Sequence, residues 1–164
     1  MRVVRLTAAV FAVTALALIG AGAAQAGGNG AQTFTQIDKN VVEVDPPGSE
    51  NGTNPCSGVD GTLTLVYNDI FHGTINKTGS WFTGTLTGTF SFVPVDPSQP
   101  SYTGRFTNWF GDEDNLRNEV EHSTLNVHHG VGSDGSILRV HDNAQVTMNA
   151  NGVITVSFDK FVCG

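Results

Sequence analysis

Polar residues that interrupt apolar strand faces are the places where this sequence could do chemistry. In 136–149 the even positions read Leu138, Val140, Asp142, Ala144, Val146 and Met148. A carboxylate in the middle of that row must find a hydrogen-bond partner or line a polar cavity, because burying it alone is costly. In 62–75 the odd positions include Leu63, Leu65, Tyr67, Asp69, Phe71 and Ile75. Asp69 breaks that row unless Asn68-Asp69 forms a bulge or turn that carries it to solvent. In 101–110 the even positions are Tyr102, Gly104, Phe106, Asn108 and Phe110, so Asn108 is the exception, close to the expected strand end. With His122, these residues form the candidate ligand-binding set: Asp69, Asn108, His122 and Asp142.

Other chemistry finds less support. His128 and His129 are adjacent, so on a regular strand they point to opposite faces and cannot chelate one ion together. His122 and His129 both face inward only if a bulge near Ser123-Thr124 switches the faces. A metal site of His122, His129 and Asp142 is therefore contrived, and no metal or cofactor is assigned. No G-x-S-x-G elbow is present, nor a calcium-loop pattern. Asp69 and Asp142 could be drawn as a glycosidase pair, but their separation is not readable from sequence. No residue is assigned as catalytic, and a non-enzymatic role is the expectation. The acidic stretch Gly111-Asp112-Glu113-Asp114-Asn115 reads as a solvated turn.

The elements that must position these residues are strands. In 80–93 the even positions are Phe82, Gly84, Leu86, Gly88, Phe90 and Phe92, and the odd positions are Trp81, four threonines and Ser91. A strand sends successive side chains to opposite faces, so one face is apolar and the other hydroxylated. The inward Gly84 and Gly88 suit a corner or a close crossing. Turn-forming groups rich in Gly, Asn, Asp, Ser and Pro separate candidate strands at 62–75, 80–94, 101–110, 117–131, 136–149 and 152–162. One or two short strands in 33–44 bring the total to seven or eight. No window keeps helical apolar spacing for two turns. The predicted fold is all-β: an up-and-down antiparallel meander of about eight strands closing into a small β-barrel, with a β-sandwich as the alternative.

Residues 1–26 have the parts of a secretory signal peptide: Arg2 and Arg5, an apolar run from Val10 to Ile19, and the small-x-small site Ala24-Gln25-Ala26. The apolar run is too short to span a bilayer. A flexible leader, 27–32, and a single all-β domain, 33–164, follow. In an exported chain the only two cysteines, Cys56 and Cys163, read as a disulfide. Cleavage would leave six basic against fifteen acidic residues, a net charge of about −9 with neutral His. That balance argues against nucleic acid and anionic membrane surfaces, which require clustered basic residues. A secreted monomer is expected.

The layout from Asn54-Pro55-Cys56 to Val162-Cys163-Gly164 resembles an uncharacterised family of small secreted actinobacterial β-proteins. The features that carry the resemblance are the Asn-Pro-Cys motif, Gly84 and Gly88 on a Phe-rich strand, His141, the run Val146-Thr147-Met148-Asn149-Ala150-Asn151-Gly152, and the C-terminal Cys. It implies export and the Cys56–Cys163 bridge and brings no activity with it. A looser, architectural resemblance is to lipocalin-like and allene-oxide-cyclase-like barrels. The inward aromatic rows, with a few polar groups among them, lead to the functional expectation of a small apolar or amphipathic ligand. The alternative is a cell-envelope interaction protein that uses loops 45–61, 95–100 and 111–116 as its contact surface.

Overall fold

A computed structural model describes residues 30–49, 51–115 and 117–164. The expected signal peptide and residues 27–29 of the leader lie outside the described residues. Seven long strands form one antiparallel sheet in chain order: β1 (Gln32–Asp45), β2 (Gly61–Asn76), β3 (Gly79–Pro94), β4 (Tyr102–Asp114), β5 (Asn118–Gly132), β6 (Ile137–Asn149) and β7 (Ile154–Cys163). The meander follows from strict two-residue alternation interrupted by short Asn-, Asp- and Gly-bearing turns. Asn76 shows how: its Oδ1 accepts hydrogen bonds from the Thr78 N–H at 2.7 Å and the Thr78 hydroxyl at 2.6 Å. The segment 32–45 forms a single strand, and there is one sheet rather than the two of a sandwich. Among the described residues, no ladder joins β1 to β7.

Residues paired across an antiparallel ladder share a face. The registers therefore define an inner face carrying Phe34, Phe71, Phe82, Phe90, Phe106 and Phe110, and an outer face rich in threonine. On the inner face, aromatic rings two strands apart meet over an intervening glycine. Phe34 and Phe82 lie 6.2 Å apart over Gly73, Phe71 and Phe110 lie 6.1 Å apart over Gly84, and Tyr67 and Phe106 lie 6.4 Å apart over Gly88. A side chain at those positions would hold the rings apart. Phe71 and Phe82, on adjacent strands, stack at 5.5 Å.

One end of the sheet is closed. Cys56, in the β1–β2 connection, is bonded to Cys163 at the end of β7, with Cα atoms 5.8 Å apart. The sheet therefore curls at this end until its first connection meets its last strand. Asn54 organises the connection: its Oδ1 accepts from the Cys56 and Ser57 N–H groups, and its own N–H donates to the Val59 carbonyl. In the same segment Asn54, Ser57 and Val59 line a small hollow together with Phe92 and Tyr102 of the inner face. The buried apolar side chains, Phe90, Phe92, Phe106 and Val140, all belong to this end. At the opposite end Phe71, Phe82 and Phe110 remain partly exposed, and Phe34 is 41% exposed. Residues 31–164 thus form a curled sheet with a covered floor and an aromatic wall open above it.

Candidate functional site

Three of the four candidate residues fall on one cross-strand row of the inner face. Asp69 on β2 pairs with Leu86, Leu86 with Asn108 on β4, Asn108 with Leu125, and Leu125 with Asp142 on β6. Asp38 on β1 and Phe161 on β7 complete it. Polar and apolar side chains thus alternate from β2 to β6, between the buried floor and the open aromatic wall.

Local structure decides each placement. Asp69 stays inward because the bulge lies on the facing strand, at Lys39-Asn40, and not at Asn68-Asp69. Asn40 takes a left-handed φ of 54°, and its N–H donates to Asn68 Oδ1 at 2.9 Å. Asn108 lies mid-strand rather than at a strand end, because β4 runs on to Asp114. Its Oδ1 and the Oδ1 of Asp142 are buried with no hydrogen-bond partner.

His122 is not part of this row. It pairs with Gly111 on the outer face, where its ring lies 4.6 Å from that of Trp109. The bulge in β5 comes at residues 128–129, too late to turn His122 inward. His129 pairs with Arg105 on the outer face. The two histidines are therefore both separated from Asp142 by the thickness of the sheet.

The acidic stretch at 111–115 is also corrected. The strand continues through it, so Asp112 and Asp114 occupy inner-face ladder positions opposite Glu121 and Glu119. Carboxylate oxygens of Asp112, Glu119 and Glu121 lie within 4.8 Å of one another. Burial, then the charges of Glu119, Glu121 and Asp114, push the Asp112 carboxyl up to about 6. A second group joins Asp142 to Asp159 of β7. Burial first, then a hydrogen bond and charge from Asp159, push Asp142 up to about 6. A third surrounds Tyr67, whose hydroxyl donates to Glu43 at 3.3 Å. Burial and the neighbouring Asp38 charge raise Asp69, while burial and Glu43 raise Tyr67.

Parity carried through 111–114 would have found Asp112. Glu121 and Asp159 are harder to find from sequence, because Val120, Val156 and Phe158 beside them suggest the opposite orientation. The structure turns those apolar residues outward.

The raised carboxyls make a stability prediction. A carboxyl that folding moves from 3.8 to about 6 binds its proton more tightly in the folded chain. Its stabilising contribution is complete below about pH 4 and is lost as pH rises through about 6. For Asp142 the upper bound is about 3 kcal/mol, which screening at a half-buried position reduces to about 1 kcal/mol. Asp142→Asn is expected to stabilise the protein by about 1 kcal/mol at pH 7.5 and to change little at pH 4. Urea unfolding at the two pH values checks this; equal effects at both would rule out the buried-carboxyl account.

A separate surface hollow is lined by Pro47, Gly48, Val59, Asp60, Val95 and Asp96 at the closed end, outside the row. No protein-family model matches the chain, nor does any curated protein or solved structure.

Proposed function

We propose that the protein is an exported, non-enzymatic binder of a small amphipathic molecule, held against the aromatic inner face. One observation carries the reading. Stacked Phe71, Phe82 and Phe110 stay partly open to solvent beside a row whose Asn108 and Asp142 each carry a buried oxygen with no partner. An apolar wall with a few convergent polar groups is the usual composition of a small-molecule site. The disulfide supports an oxidising destination. The neutral apolar dye Nile red is expected to bind at one saturable site with enhanced emission. Phe71→Ala and Phe110→Ala should each weaken it about tenfold, the equivalent of about 1.4 kcal/mol. Absence of saturable binding by the folded parent would refute the reading.

A second reading, an interaction protein, is favoured by a different observation. On the outer face Ile37, Val42 and Val44 of β1 are 56%, 63% and 57% exposed. They pair with Ile70, Val66 and Thr64 of β2. Large exposed apolar patches mark contact surfaces. The support lies on this sheet face and its unpaired edge rather than on the expected loops, of which 111–114 is strand.

A further inference from the structure

Charge is sorted between the two faces of this sheet. The ladders place Asp38, Glu43, Asp45 and Asp69 on the inner face of β1 and β2. They place Asp112, Asp114, Glu119 and Glu121 on that face of β4 and β5, and Asp142 and Asp159 on that of β6 and β7. Ten of the fifteen acidic residues therefore share the face that carries the aromatic rings. The strand basic residues Arg105, Arg139 and Lys160 sit at outer-face positions. Lys39 lies in the β1 bulge, and Lys77 and Arg117 lie in turns. No Lys or Arg occupies an inner-face ladder position among the described residues.

Such sorting is unfavourable to folding by itself, since like charges on one concave face repel and are only partly solvated. It is complementary to one kind of occupant. A neutral or anionic amphiphile would use the aromatic wall and leave the carboxylates of Asp112, Glu119, Glu121, Asp142 and Asp159 uncompensated or repelled. A cation would satisfy them and would also be attracted to ring faces nearby. We infer that the ligand of this face is a small organic cation with an apolar body, the body lying on Phe71, Phe82 and Phe110 and the cationic group among the carboxylates of β4 to β7. This rests on the proposed function, and specifies the charge of the ligand.

The test is calorimetric titration at pH 7.5 with three probes of equal chain length: decyltrimethylammonium, decyl maltoside and decyl sulfate, each below its critical micelle concentration. The cation is expected to bind at one site, about tenfold or more tighter than the neutral probe, with the sulfate weakest. Asp112→Asn/Glu121→Gln should cut the preference for the cation over the neutral probe at least threefold. The outer-face control Glu113→Gln should keep the preference. Equal affinities for the three probes would overturn the assignment of charge and leave the binding reading standing. Loss of Nile red binding as well would remove both. Tighter binding of the sulfate, or a preference shifted as much by Glu113→Gln, would also overturn the inference. So would a dimer that buries the inner face and excludes all three probes.

Discussion

Removing the bridge, as Cys56→Ser/Cys163→Ser, is expected to lower the unfolding free energy by about 3–5 kcal/mol. The cysteines are 107 residues apart, and the chain-entropy model gives about 4.7 kcal/mol for a loop near that length. The structural consequence should be local before it is global. Every residue of β7 is exposed, and the strand pairs only with β6 among the described residues. The bridge also anchors the connection that lines a hollow with Phe92 and Tyr102. Hydrogen exchange should therefore show the amides of 161–163 and of the 54–59 segment losing protection first. Urea unfolding of parent and variant measures the total; a loss below about 1 kcal/mol would mean that the floor is held by packing and that the bridge is incidental.

Gly88→Ala is expected to cost about 3 kcal/mol or more, and more than Gly84→Ala, although both glycines lie on the inner face of the same strand. A Cβ at position 88 would come within 2.2 Å of the Val66 carbonyl oxygen and 2.8 Å of the Tyr67 Cα. Those are backbone atoms, and they can move only by opening the β2–β3 ladder. At position 84 the nearest atoms, from 2.3 Å, belong to the Phe110 ring, which can swing aside. The Gly84 variant should cost about 1–2 kcal/mol and weaken Nile red binding through the displaced ring. The Gly88 variant should also relax the contact between Tyr67 and Phe106 that forms over it. Thermal unfolding of both variants decides the order. If Gly84→Ala proves the more costly, ring packing rather than backbone approach governs the curvature.

Much of the fold was legible because it rests on local chemistry. Alternation over 80–93 and the turn residues around it placed β3 to within a residue, and β2, β5, β6 and β7 fall within two residues of their expected bounds, whereas β4 runs four residues further and β1 is one long strand. Two cysteines allow one intramolecular pairing, and the structure contains it. The inward parity of Asp69, Asn108 and Asp142 could likewise be read strand by strand, because a single strand's own pattern orients its faces.

Tertiary structure decided what one strand cannot specify. That Asp69, Asn108 and Asp142 share a row depends on the register of successive ladders, which turn geometry and bulges set together. The face of His122 depended on where β5 bulges, and neither Ser123-Thr124 nor His128-His129 announces a bulge by composition. Likewise, the extra residue between β1 and β2 fell at Lys39-Asn40, with Asn40 supplying the left-handed conformation, rather than on the strand whose pattern drew attention. The least legible feature was the sorting of charge. In β1, the first part of β5 and β7, Ile37, Val42, Val44, Val120, Val156 and Phe158 face outward while carboxylates face inward, against the rule that hydrophobicity assigns the inner face. The registers of the whole sheet fix those orientations, and each strand accepts a locally unfavourable facing so that its ladders can form.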